Sequence, residues 1–343
     1  MRKLLLIGAL VLIAAAAFAQ ATPPTNYEIY GATQFDYQMT GTEASLSTPA
    51  LANFNFATLK IGFRAQIADV VKSTLEFDPR NGEFRLMYVD YTAMPGLTLT
   101  AGKTNIFYEQ IAAYYGGARK YLVGGKYLIP GFGWAGMQVG STADIGFQSG
   151  SDLVYTLPGT SVTEATKVAQ DKHIYMWPAV AFKPDLGTNL SLEIGAVAQI
   201  DPQYFGVDTA AKAGNAIGLD GYFTVATMGL AFTNEFVVNN LNQDSDLYEY
   251  TYYAKLTYSM GNVVPTVYLV TDVVKDFSND PNTAIGFELP VTVAKNFKIN
   301  PMFSYAIANY NAFEANNAIK GKVFDKNDWT FGIRFDYTYS AKF

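Results

Sequence analysis

The chain has 343 residues, 24 basic and 30 acidic, no cysteine and one histidine, for a formal charge of −6. An acidic balance argues against a nucleic-acid partner, which calls for a basic patch. Without cysteine there is no disulfide or thiol chemistry, and with one histidine no clustered histidine site, so neither a metal nor another cofactor is expected.

Arg2 and Lys3 precede an apolar run over residues 4–17, and Ala17-Phe18-Ala19 is a small-x-small cleavage pattern. That run is shorter than the roughly 20 residues of a spanning helix. Residues 1–19 therefore read as an export signal peptide, and 20–343 as one domain. Losing Arg2 and Lys3 leaves 22 basic against 30 acidic residues, a formal charge of −8. Half of all residues are apolar or aromatic and only 16% are charged, against about 25% in soluble proteins.

Those apolar residues alternate with polar ones. Over 27–40, Tyr27, Ile29, Phe35, Tyr37 and Met39 oppose Glu28, Gln34, Asp36 and Gln38. The same period of two runs through 57–67, 190–200, 248–258 and 285–293. It is cleanest at the end, where Phe331, Ile333, Phe335, Tyr337, Tyr339, Ala341 and Phe343 share one parity. Each segment is long enough to cross a bilayer as a tilted strand of about 9–11 residues. Residues 134–183 alternate imperfectly.

Short turns are predicted at Ala68-Asp69, Met94-Pro95-Gly96, Ser141-Thr142, 184–187, Met228-Gly229, Gly261-Asn262 and Lys295-Asn296. Between them lie longer connections at 41–52, 105–131, 157–172, 202–217, 241–246, 276–282 and 311–327, with a tight link at 78–82. This alternation predicts an all-β transmembrane antiparallel barrel of about sixteen strands, with short periplasmic turns and longer outer loops. Tyr248, Tyr258, Phe335, Tyr337 and Phe343 are candidates for the aromatic girdle.

The polar parity supplies candidate pore-lining residues: Lys60, Arg64, Lys72, Glu76, Asp78, Asp90, Glu193, Glu249, Lys255, Asp272, Glu288, Lys298, Arg334 and Asp336. Catalysis is not expected. A serine triad would need His173 as its base, and no serine context supports one.

The terminal strand resembles the closing strand of bacterial outer-membrane barrels, which ends on Phe, here Phe343. The segment 84–110 resembles bacterial porins, most of all the phosphate-selective group, through Tyr88-Val-Asp-Tyr91, Pro95-Gly96 and Gly102-Lys103. The chain departs from that group in holding only six arginines. The resemblance implies a sixteen-stranded homotrimer in outer-membrane lipid, assembled by machinery that reads the C-terminal strand. It also implies a third outer loop folded into the pore. By position that is 105–131, whose residues 106–115 suit a short helix, with Tyr108, Glu109, Tyr114, Tyr115, Arg119, Lys120 and Lys126 as constriction candidates. The expected function is a water-filled channel for small hydrophilic solutes and ions. The alternatives are a sugar- or anion-selective channel, with Tyr108, Tyr114 and Tyr115 as a sugar slide, and a plugged structural or adhesin barrel.

Overall fold

The computed structural model describes residues 26–41, 51–67, 69–80, 82–108, 119–141, 174–200, 217–239, 249–274, 282–307, 310–312, 322–324 and 329–343. Nearly all of them are strand. The order is β1 (Asn26–Gly41), β2 (Leu51–Ile67), β3 (Val71–Asp78), β4 (Glu83–Met94), β5 (Leu97–Asn105), β6 (Arg119–Ile129), β7 (Gly133–Ser141) and β8 (Ile174–Phe182). Then come β9 (Leu190–Ile200), β10 (Ile217–Thr227), β11 (Leu230–Asn239), β12 (Glu249–Tyr258), β13 (Thr266–Val274) and β14 (Asn282–Glu288). The last are β15 (Val291–Ala294), β16 (Phe297–Ala306), β17 (Tyr310–Ala312), β18 (Lys322–Phe324) and β19 (Trp329–Lys342).

From β1 to β14 each strand pairs antiparallel with the next, β16 pairs with β19, and β19 pairs with β1, so the sheet closes. The short β17 and β18 pair only with each other, apart from this sheet. Both β14 and β15 pair with β16 and form one wall strand broken at Leu289-Pro290. Pro290 has no N–H to give the ladder. Its carbonyl accepts from Val264 at 3.0 Å, and Leu289 donates to the Pro301 carbonyl at 2.9 Å. The barrel therefore has sixteen strands.

Closure is secured at the rim and on the inner face of the seam. Tyr27 and Phe343 exchange backbone hydrogen bonds of 3.1 and 2.9 Å. In the wall, Arg334 donates to both oxygens of Asp36, at 2.7 and 2.9 Å, from the position directly opposite. Asp36 is fully buried. A one-residue slip of β19 would turn Arg334 out of the barrel, so this pair fixes the register.

Aromatic rings lying over glycines directly across the ladder fill the wall. Tyr30 covers Gly62, Tyr222 covers Gly195 and Tyr268 covers Gly286 on the inner face, while Tyr339 covers Gly31 and Trp329 covers Gly41 on the outer face. A Cβ at any of these glycines would overlap the ring. The pairing stabilises strands that glycine alone would weaken.

The expected turns at Met94-Pro95-Gly96, 184–187, Met228-Gly229, Gly261-Asn262 and Lys295-Asn296 lie between strands, the longer connections fall mostly outside the described residues, and both described chain ends lie at the short-turn rim. One hairpin differs. Residues 119–129 form β6, and the turn that follows it is at 130–132, so 105–131 is not one loop; Ser141 belongs to β7, and Thr142 of the expected turn lies outside the described residues. Arg119, Lys120 and Lys126 are wall residues of β6 rather than loop residues. The alternation fails there for a physical reason. The inner face of β6 to β8 carries Leu122, Trp134, Tyr175 and Trp177, so apolar side chains stand on both faces. Gly124, Gly136 and Gly140 blank further positions.

Replacing Asp36 with Ala should leave the half-buried Arg334 without its partner and destabilise closure by up to about 3 kcal/mol. Heat-modifiable electrophoretic migration should show the folded band lost at a clearly lower temperature. The double variant Asp36→Leu, Arg334→Met should recover part of that loss, and an unchanged single variant would contradict a register-fixing role.

Candidate channel lining

Strand parity separates two surfaces. Outside stand exposed apolar side chains such as Ile61, Phe63, Leu99, Val123, Ile194, Leu219, Phe236, Ile285 and Phe331. At the short-turn rim Tyr91, Tyr127, Tyr258, Tyr337 and Phe343 are exposed on the outer face and form an aromatic girdle. Of the predicted girdle, Phe335 is half-buried lower on β19 and Tyr248 lies outside the described residues.

Inside, the polar residues form defined groups. Near the long-loop rim of β2 to β4, Lys60 and Arg85 each approach Glu76 at 3.5 Å. Arg80, in the turn after β3, pairs with Asp78 at 2.7 Å, and Tyr30 donates to Glu76 at 3.2 Å. Arg85 reaches this group because β4 bulges opposite Glu76 and Phe77. A bulge re-aims the extra residue, and strict alternation gives no hint of it. Toward the short-turn rim, Arg64 pairs with Glu28 at 3.1 Å and stacks over Tyr30 at 4.0 Å. Lys72 stands exposed opposite Asp90, whose carboxylate accepts from Thr100 at 2.6 Å.

On the other side, Glu193 of β9 collects hydrogen bonds from Lys183 at 2.9 Å, Tyr222 at 3.2 Å and Trp134 at 3.4 Å. Lys126 lies 4.1 Å from the Trp134 ring. Asp220 and Glu235, on β10 and β11, are buried on the inner face. Each is a lone acid inside an apolar strand, a signal present in the sequence. At the seam Lys298 stands opposite Asp336, beside the Asp36–Arg334 pair, and Asn300 donates to Glu288 at 3.4 Å. Lys255 lies opposite Tyr268 on the same inner face.

Thus Lys60, Arg64, Lys72, Glu76, Asp78, Asp90, Glu193, Lys255, Glu288, Lys298, Arg334 and Asp336 all occupy the inner parity. Glu249 and Asp272 lie on β12 and β13, with only their backbones described. Among the constriction candidates, Tyr108 is inside the barrel but 2% exposed, donating its hydroxyl to the Val238 carbonyl at 3.2 Å, so its ring offers no surface for a sugar. Residues 106–108 are not helical. Glu109, Tyr114, Tyr115 and His173 lie outside the described residues.

Beside its charged groups, the inner face of β6 to β11 carries apolar side chains. Ile106, Tyr108, Leu122, Trp134, Tyr175, Trp177, Val197 and Val237 form one buried cluster there. By contrast Lys72, Lys298, Thr338 and Ser340 are exposed on the inner face toward the short-turn rim. The interior is therefore crowded on one side and open and hydroxyl-rich at one end.

Solved structures share this architecture at low sequence identity. OmpT, an outer membrane protein of Vibrio cholerae, superposes with a TM-score of 0.60 and 12% identity, covering 93% of this chain and 100% of that chain. OmpF of Salmonella typhi gives 0.61 and 10%, covering 91% and 97%. An anion-selective porin from Comamonas acidovorans gives 0.60 and 12%, covering 92% and 99%. No protein-family model and no curated protein matches the sequence. The shared property is the fold, that of outer-membrane β-barrels.

The division into lipid and water faces has a direct check. Ile285→Arg on the outer face should cost about 2–4 kcal/mol if its site is near the bilayer midplane. Thr338→Arg on the inner face should be close to neutral. Equal costs in denaturant unfolding from lipid vesicles would contradict the assignment.

Proposed function

We propose that this protein is a porin-like channel of the bacterial outer membrane, passing small hydrophilic solutes and ions through a narrow, one-sided lumen. The observation that carries this reading is the inner face itself. In a closed barrel with an apolar exterior, Lys72, Lys298, Thr338 and Ser340 project exposed into the interior. Such groups are stable inside a membrane only in contact with water or with one another. The porins among the structural neighbours support the same reading.

Charge on that face is unevenly distributed. Lys60, Arg64, Lys72, Arg80, Arg85 and Lys126 outnumber Glu76, Asp78 and Asp90 on the β2 to β6 side. Glu193, Asp220 and Glu235 stand on β9 to β11. In a ring of sixteen, β3 and β11 are opposite one another. The result is a field across the lumen, weakly screened where the carboxylates are buried. Charged walls of this kind tune ion preference. Of this basic side, Lys126 comes from a wall strand where the sequence suggested a constriction loop. One Asp36–Arg334 seam pair and few arginines elsewhere give no phosphate ladder, so general diffusion is favoured over a phosphate-specific path.

Three further elements complete the proposal. Residues 1–19 act as a cleaved export signal, the strand ending at Phe343 is read by the barrel-assembly machinery, and the functional unit is a homotrimer. One of the neighbours is described as a trimer form.

Two results test the reading. Vesicles carrying the folded protein should swell in solutions of small sugars, and vesicles without it should not. The double variant Lys60→Glu, Arg85→Glu should shift the reversal potential in a salt gradient toward cations. A folded barrel that admits no solute supports the plugged structural alternative instead.

A further inference from the structure

We propose that Gln138 is the positioning residue that turns the chain into the barrel after β5. The wedge it holds, residues 106–108, keeps solute off the β6 to β11 side of the lumen. This rests on the channel reading above.

The sheet ladder of β5 ends where Asn105 faces Arg119. Beyond that point the backbone leaves the wall and needs new hydrogen-bond partners in a dry environment. Gln138, 4% exposed on the inner face of β7, supplies them. Its Nε2 donates to the Asn105 carbonyl at 3.1 Å, and its Oε1 accepts from the Phe107 N–H at 2.7 Å. A side-chain amide carries the same donor and acceptor as a peptide group, so Gln138 takes the place of a missing strand residue.

The flanking positions on that face are cleared for the turn. A Cβ on Gly136 would come within 2.9 Å of the Phe107 ring, and one on Gly140 within 2.9 Å of Leu122 and 3.1 Å of Trp177. The inner face of β7 thus reads Trp134, Gly136, Gln138, Gly140: an aromatic wall, then a slot with the amide at its centre. Phe107 packs against Trp134 with ring centroids 5.2 Å apart. Tyr108 reaches the Val238 carbonyl on β11, with β6 to β10 lying between. Behind the wedge, Trp177, Val197 and Val237 are 1–2% exposed. Solute therefore passes along the opposite wall, where Lys298 and Lys72 are exposed.

The absence of cysteine makes the test clean. Val197→Cys and Lys298→Cys are made with Gln138 intact and with Gln138→Ala. Folding is checked by heat-modifiable migration, and labelling by a charged thiosulfonate is timed. Cysteine at position 298 should label readily in both backgrounds. Cysteine at 197 should label slowly with Gln138 intact and at least about tenfold faster with Gln138→Ala, because the wedge opens locally. The size limit for sugars in vesicle swelling should rise in parallel. If Gln138→Ala does not fold, Tyr108→Phe, which removes the hydroxyl bonded to the Val238 carbonyl, should move both readouts in the same direction. Labelling at 197 as fast as at 298 with Gln138 intact overturns the proposal. So does a folded Gln138→Ala barrel with unchanged labelling and size limit. Thiol labelling needs no conduction, so a silent channel with the expected labelling contrast counts against the channel reading alone.

Discussion

Hydrocarbon offers no partner to a peptide group, and this governs the whole molecule. A sheet of antiparallel strands can cross a bilayer only if its first and last strands meet. Here they meet through a backbone exchange between Tyr27 and Phe343 and through the pairing of Arg334 with the buried Asp36. The pair stands directly across the seam, so it rewards one register and penalises its neighbours. Once the ring is closed, every strand has one face toward lipid and one toward the interior, and the composition of each face follows.

The interior then becomes a packing problem as much as a hydration problem. Sixteen strands enclose more space than wall side chains fill, and this chain occupies one side with Tyr108, Trp134, Trp177 and their neighbours. Glycines in the wall accept the rings, as Gly62 accepts Tyr30 and Gly136 accepts Phe107. Buried carboxylates such as Asp220 and Glu235 share the crowded side, while the exposed Lys72, Lys298, Thr338 and Ser340 stand on the other side toward the short-turn rim. On the channel reading the passage is off-centre, with its width set by how the chain leaves β5 and its ion preference by the wall that carries the basic residues.

The sequence shows most clearly what solvent contrast dictates. The terminal strand alternates without exception because Phe331 and Phe335 meet lipid while Arg334 and Asp336 meet the interior. Turn chemistry at Pro95-Gly96 and Met228-Gly229 likewise marks the strand ends, both glycines taking positive φ. Where the interior is apolar the contrast vanishes, so β6 to β8 are hidden and Arg119, Lys120 and Lys126 look like loop residues. Arg85 is missed because a bulge shifts its parity. The Gln138 bridge is missed because its partners Asn105 and Phe107 lie on a different strand segment, and only the folded ring brings them together. Inner-face placement is thus readable from parity, whereas crowding and pairing are tertiary.

Conduction is the central claim, and it is read most directly from the refolded protein in a planar bilayer under voltage. Discrete, long-lived conductance steps, grouped in threes if the trimer is correct, are the expected result. A quiet membrane containing barrels of normal heat-modifiable migration would contradict it and leave a closed structural barrel in its place.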